Sequence, residues 1–305
     1  MAARKIPDED LLDELTATPD GGPVRQIKPH TLKKLAVLLL YFKPFTQIVK
    51  GGYYVDGMAG PGICEVKDVP QTRFVWGSPL LALRTQPGFE RCWFVELDKK
   101  NKEALETRTS AIPRRSEVQL GDVNVLVPRI VGEVRRTAPC FCFLDPEATE
   151  VHWSTVDQVA HSPRRNKRPE ILINFPLEMA FQRLLTRDRP MDAASVEKAD
   201  RFFPTSEWKD VYQAYGDGVI TASEANEQYL SLYKKGFEGL GYKPDRIQSL
   251  LVKTPGQLGG KGHPLYHLIF ASDSDTGSRI MKYVLERQNW LDHIIMGRLP
   301  LFREE

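Results

Sequence analysis

The sequence has no apolar run long enough to span a bilayer. The longest, residues 35–42, is about half of the roughly 18 residues a spanning helix needs, so no membrane segment is expected. The opening stretch MAARKIPDEDLLDEL has no apolar core of the kind a secretory signal carries. Cysteine is scarce: Cys64, Cys92, Cys140 and Cys142 are the four in the chain. No second pair and no neighbouring histidine completes a zinc quartet, so no metal site is expected. The cysteines read instead as buried, reduced thiols of a cytoplasmic protein. An excess of one charge is also lacking. The chain has 42 Lys and Arg against 40 Asp and Glu, leaving +2, which argues against bulk coating of nucleic acid but permits a local basic groove. With 41% hydrophobic and 27% charged residues, intrinsic disorder is excluded as the main state.

The 305 residues suggest two domains or one large one. Residues 1–28 are polar and broken by Pro7, Pro19, Gly21, Gly22 and Pro23, which predicts an arm with one short helix at 8–15. Over 30–49, Leu32, Leu35, Ala36, Leu39 and Leu40 recur at helical spacing, and Pro44 is expected to kink or split the helix. The rhythm then changes. Short apolar runs at 53–57, 92–96, 118–122, 140–145 and 171–175 alternate with helical patterns at 77–84, 98–109, 123–136 and 154–160 and one ending near 186. Ser78 is the expected N-cap of the first of these helices, with Pro79 at its first position. Strands with almost no internal polar residue are buried on both faces. The expected fold is therefore α/β, a Rossmann-like, mixed but mainly parallel sheet with helices on both faces. This core spans 29–187. A helical insertion follows at 188–243, carrying Phe202, Phe203, Trp208, Tyr212 and Tyr215; it either faces a substrate or completes the core. Residues 244–305 return to the core with two closing strands, 247–254 and 265–272, and a last helix. The short loop between those strands requires an antiparallel pair.

The chemistry gathers at the strand ends. The first strand runs into Asp56-Gly57-Met58-Ala59-Gly60-Pro61-Gly62, a loop whose glycines permit a tight turn and a close ligand approach. The next strands end in Glu96, Asp122 and Asp145-Pro146. In an open parallel sheet the ligand crevice lies at the carboxyl ends of the strands, so these acids are expected on one rim. A carboxylate at the second strand end suits ribose hydroxyls, and one at the third suits an exocyclic amino group. No GxxxxGK[ST] is present, and Asp56 would repel a pyrophosphate. A phosphate-free adenosine with a cationic amino-acid tail, S-adenosyl-L-methionine, fits this set.

The motifs DGMAGPG, FVE, GD and FLDP resemble those of class I S-adenosylmethionine-dependent methyltransferases. More closely, the chain resembles the three-Cys-motif partner protein family. The resemblance lies in KPHTLKKLAVLLLYF, YYVDGMAGPG with GSPLLAL, FVELD, FLDPEATEVHWST, ILINFPLEMAFQRLL and YHLIFAS, in order over most of residues 28–288. It implies a methyltransferase-type fold and a partner protein bearing the three cysteines. It also implies that Gly57, Gly60 and Gly62 line the methionine part of the cofactor, Glu96 takes the ribose, Asp122 the adenine, and Asp145-Pro146 sit beside the methyl group.

Asp145-Pro146 resembles the start of the D-P-P-[YF] motif of amino methyltransferases, where the carboxylate accepts from an NH2 group. Methylation of a nucleic-acid amino group, on DNA or RNA, is therefore the expected activity, with Asp145 orienting the acceptor. Position 147 is Glu, where an aromatic residue is common in the broad motif and in relatives of the family, so Trp153 or His152 would supply a stacking surface instead. Of the basic residues, Arg114, Arg115, Arg135, Arg136 and the run 164–168 precede strands and fall on the opposite rim, as a solvated or partner-docking face. Arg183, with Arg187 and Lys261, is better placed for substrate. Two alternatives stand beside the enzyme: a non-catalytic subunit docked on the three-cysteine protein, and a defence nuclease using the acidic rim for Mg2+.

Overall fold

The computed structural model describes residues 11–69, 73–110, 115–135, 137–162, 167–177, 191–254 and 262–287. In chain order the elements are α1 (Leu11–Leu15), β1 (Arg25–Ile27), α2 (Thr31–Val49), β2 (Tyr53–Asp56), β3 (Ile63–Val66), β4 (Arg73–Trp76), α3 (Ser78–Arg84), β5 (Arg91–Glu96), α4 (Lys99–Thr109), β6 (Ser116–Leu120), α5 (Val123–Glu133), β7 (Cys140–Leu144) and α6 (Trp153–Ala160). There follow β8 (Glu170–Phe175), α7 (Ala193–Phe202), α8 (Trp208–Gly216), α9 (Ala222–Gly239), β9 (Ile247–Lys253), β10 (Pro264–Ala271) and α10 (Asp275–Glu286).

Seven strands form the main sheet in the order β6-β5-β2-β7-β8-β10-β9. β2, β5, β6, β7 and β8 pair in parallel, and β10 runs antiparallel to both β8 and β9. The strand order reverses beside β2, which places a ligand crevice at the carboxyl ends of β2 and β7. This is the mixed, mainly parallel, helix-flanked sheet of a Rossmann-like fold.

Alternation along each strand divides the core in two. Tyr54, Phe94, Phe141, Phe143 and Phe270 face α2, α3 and α10; Val55, Val95, Cys140, Cys142 and Ile173 face α5, α6 and the helices after β8. β2, β7 and β8 are buried at every position, which explains their lack of polar alternation. All four cysteines are buried and free. Among the described residues no helix is long and apolar enough to cross a membrane.

Some local expectations differ from the structure, and one left open is decided by it. Residues 11–27 are not a free arm: Leu11, Leu12 and Leu15 are buried, and β1 joins β3 and β4 in a second, three-stranded sheet that the sequence pattern did not announce. Arg108 of α4 ties this segment to the glycine loop, donating to both carboxylate oxygens of Asp20 and to the carbonyls of Pro23 and Pro61. Pro44 does not split α2, which runs on from Thr31 to Val49 with Tyr41, Phe42 and Phe45 packed into the core around it. Gly77, not Ser78, caps α3, since the Ser78 hydroxyl is spent on the Asp56 carboxylate. The insertion places Phe202, Phe203 and Tyr233 against Phe175 of β8, with Phe175 stacked on Phe202 at 5.6 Å, and Trp208 stacks in turn on Phe203. The aromatics thus complete the core on that face.

Candidate functional site

A hollow of about 990 Å3 opens at the carboxyl ends of β2, β7 and β8, walled by the start of α2 and by β10. Of the expected residues, Gly60, Gly62, Asp145 and Pro146 line it. Its floor is the glycine loop, whose path is fixed by backbone donation. Gly57 N donates to Phe143 O at 2.9 Å, Met58 N to Asp56 Oδ1 at 3.3 Å, Ala59 N to Val95 O at 2.9 Å and Gly60 N to Glu96 Oε2 at 2.7 Å. Four successive N–H groups are therefore satisfied within the protein. A phosphate cradle needs such donors aimed outward. Gly60 and Gly62 take φ of 64° and 90°, a region that favours glycine.

The four acids stand on the carboxyl-end rim of the parallel strands, but they do not face one hollow. Asp56 is fully buried beneath the loop, where Tyr54 Oη donates to it at 2.9 Å and Ser78 also bonds it; burial pushes its pKa up to about 6. It holds the floor in place and does not face the hollow, contrary to the expected ligand contact. Gly57 is likewise a packing position, since a Cβ there would lie 2.7 Å from Leu144 and 2.9 Å from Val123. Glu96 turns onto the backbone, accepting from Gly60 N and, at 2.8 Å, from Asp98 N. Asp122 is exposed and caps α5, accepting from Asn124 N at 2.7 Å. Asp145 alone of the four lines the hollow.

Trp153 does not line the hollow. Its ring packs edge-on against Tyr233 at 5.1 Å and Phe237 at 5.5 Å, held by α9. Arg183, Arg187 and Lys261 lie outside the described residues, as do Arg114, Arg136 and residues 164–166. Arg135 and Arg168, on the basic face, are engaged with Glu90 and Tyr53 and with Asp273 and the Leu240 carbonyl. Among the described residues no group of three His, Cys, Asp or Glu side chains is gathered to hold a metal ion.

Three residues that the sequence reading passed over complete the hollow. Lys34 of α2 pairs with Asp145 Oδ2, both side chains nearly buried at 10% and 14% exposure. Asn174, at the end of β8, donates to Asp145 Oδ1 at 3.1 Å and to the Pro146 carbonyl at 3.0 Å. Arg25 of β1 lies over Gly60 and pairs with Glu147. Burial opposes the charge on Arg25, but Asp145, Glu147 and Glu96 outweigh that and raise its pKa. His30 completes the wall as a neutral ring, its pKa pulled down to about 4 by burial and by Lys34 and Lys28. The sequence did carry signals for two of these. Lys34 stands in register with Leu38, Tyr41 and Phe45, a core-facing position on α2. Asn174 is the one polar residue in the ILINF run.

No family model matches the chain, and no curated protein matches it. Several solved structures do. Protein LPL1258 of Legionella pneumophila is 13% identical, with 85% of this chain and 91% of that chain covered and a TM-score of 0.47. An O-methyltransferase of Bacillus cereus, solved in complex with SAH, is 11% identical over 80% and 89% of the two chains, with a TM-score of 0.41. An rRNA methylase of Streptococcus thermophilus is 9% identical over 79% and 95%, with a TM-score of 0.36.

Proposed function

We propose that this chain is an S-adenosylmethionine-dependent methyltransferase whose acceptor is an amino group of a nucleic acid. The observation that carries the reading is the glycine loop: its donors are spent internally, so the crevice beside β2 suits a nucleoside without phosphates. The surrounding residues fit such a ligand. Glu96 and Asp122 each retain acceptor capacity for ribose hydroxyls and for the adenine amino group. Leu97, Leu120 and Val125, three of the large hydrophobics exposed among the described residues, lie beside these two acids at neighbouring element ends and offer an apolar surface to a purine. Arg25 over Gly60 is a cation for the methionine carboxylate.

When bound, the cofactor supplies an already activated methyl group, so the chain's own part is position and exclusion of water. Asp145 and the Pro146 carbonyl stand at the end of β7 as acceptors for the N–H groups of the incoming amine. Lys34 and Asn174 fix the carboxylate in place. Arg25 and Glu147 join the β1 segment to the loop after β7.

Calorimetry with S-adenosylmethionine, with ATP as the control, tests this. The expected result is binding of the first and none of the second. Asp122→Ala should weaken binding, whereas Asp145→Ala should spare it and abolish transfer of tritiated methyl to DNA, tRNA or rRNA. No binding at millimolar S-adenosylmethionine would overturn the reading. The pairing of Glu147 with Arg25 and of Asp145 with Lys34 favours a second reading, a non-catalytic subunit of a three-cysteine-motif protein. A stable complex from the native host, with no methyl transfer to any nucleic acid, would support it.

A further inference from the structure

His30 stands immediately before α2 and lines the hollow in a half-buried position. Its side chain makes no cap bond to the helix and no other hydrogen bond among the described residues. Nor does it belong to the unpartnered polar groups there that are sealed from solvent, so its ring nitrogens stay open.

The ring is held beside the shielded ion pair. His30 and Lys34 are four residues apart, on one face of the first turn of α2. Both meet Tyr266 of β10: the His30 ring is edge-on to it at 6.2 Å, and Lys34 Nζ lies 5.8 Å from the centre of the same ring. Lys34 reaches on to Asp145 Oδ2. Imidazole, ammonium and carboxylate thus follow one another along the wall.

Methylation of an amino group leaves a proton to be removed. The amine lone pair forms the N–C bond, and the C–S pair leaves with the sulfur of the sulfonium donor. One N–H bond then breaks, its pair staying on nitrogen as the new lone pair. Few side chains of the hollow can take that proton. Asp145 accepts from Lys34 and Asn174, and protonating it would break its ion pair. Glu147 is paired with Arg25, and its side chain is 73% exposed. Asp68 and Glu150 are exposed as well. Cys64 keeps its own proton, since burial pushes the thiol up to about 11. The lysines and Arg25 are donors only. The His30 ring is neutral near pH 7, because burial, Lys34 and Lys28 all oppose the imidazolium, so one nitrogen offers a free lone pair. A base amino group that has gained a methyl and kept both protons is a stronger acid than this imidazolium. The proton therefore moves downhill to the ring and on to solvent.

We infer that His30 is a catalytic residue of the proposed reaction, its open ring nitrogen touching the acceptor's amino group and receiving the proton released as the methyl group arrives. The inference rests on the proposed methyl transfer to an amino group and supplies the base for it. Asp145 orients the amine, and His30 takes its proton.

The test uses the full-length protein, S-adenosylmethionine with a tritiated methyl group, and DNA, tRNA and rRNA as probes. Cofactor binding is read separately by calorimetry. His30→Ala and His30→Gln should bind S-adenosylmethionine as the unaltered protein does. Each should lose about a hundredfold or more of the single-turnover methylation rate. Added imidazole should restore about tenfold or more in His30→Ala, where the deleted ring leaves room for it. It should restore nothing in His30→Gln, which fills that space without a basic nitrogen. A merely structural role would give no such rescue, and thermal melting checks that both variants fold. A rate kept by either variant, no rescue of His30→Ala, or cofactor binding lost in step with the rate would each overturn the inference and leave the methyltransferase reading standing. No transfer from the unaltered protein to any of the three probes would remove the proposed function itself, and this inference with it.

Discussion

The ion pair between Lys34 and Asp145 gives the sharpest quantitative test of the hollow. Replacing Lys34 with Met keeps an unbranched stem of similar length beside Leu38 and deletes only the ammonium group. Asp145 then retains Asn174 as a neutral donor but has lost its cation at 14% side-chain exposure. Breaking a buried pair from one side typically costs 3–5 kcal/mol; with Asn174 still in place the lower end, about 3 kcal/mol, applies. Asp145→Asn strands the lysine instead and should cost a similar amount. The double variant removes both charges and should recover much of the loss, giving a coupling of about 2 kcal/mol or more, against about 1 kcal/mol or less for an exposed pair. The assay is urea unfolding of the four proteins at neutral pH. A coupling below about 0.5 kcal/mol would mean that both groups sit in water. The hollow would then not be a shielded place, and the positioning role given to Asp145 would fall with it.

Glu170 opens β8 in full burial, with Tyr41 Oη donating at 2.6 Å and Ser272 Oγ at 2.8 Å; burial pushes its pKa from 4.5 to about 7 against the lowering effect of those two bonds. Because the folded value is the higher, its contribution to stability is complete below pH 4.5 and is lost as pH rises to 7, a fall of about 3 kcal/mol. Glu170→Gln should flatten that part of the stability–pH curve and be more stable than the unaltered protein above pH 7, as read by chemical denaturation. Two glycines should respond in opposite directions in thermal melts. Gly57→Ala drives a methyl to 2.7 Å from Leu144 and should cost about 1–3 kcal/mol, whereas Gly132→Ala, with nothing within 4 Å in α5, should gain about 0.5–1 kcal/mol.

The main sheet was legible because its strands are buried on both faces, so each is a short apolar block with a turn signal at its end. β2, β5, β7 and β8 begin and end within a residue or so of their apolar runs. The small sheet was not legible for the opposite reason. β1 and β4 are three and four residues long, half-buried, and each opens on an arginine, as RQI and RFVW show. Their pairing is decided by tertiary contacts such as the Arg108 clamp, not by local pattern. The strand-end acids were correctly located along the chain, but chain position does not give side-chain direction. Asp56 points inward because Tyr54 and Ser78 supply hydroxyls below the loop, and Glu96 turns to the loop because Gly60 N needs an acceptor.

What the strand ends could not reveal is that the hollow is a site of paired charge. The acids come from the sheet, Asp145 and Glu147 from the loop after β7; the cations come from the N-terminal side, Arg25 from β1 and Lys34 from α2. Asp145 and Glu147 each have a cation of their own, and Asp68 and Glu150 are matched in number by Lys28 and Lys198 around the hollow, so the cavity as a whole attracts neither anions nor cations strongly. A ligand of that surrounding must present both signs close together, or neither. On the proposed reading both conditions are met at once. The amino-acid tail of the cofactor brings a carboxylate within reach of Arg25 and an ammonium within reach of the carboxylates, while the acceptor base brings only a neutral amino group. Removing Arg25 should therefore weaken the cofactor more than the base, a difference that follows from the charges being paired and would not hold for an open acidic rim.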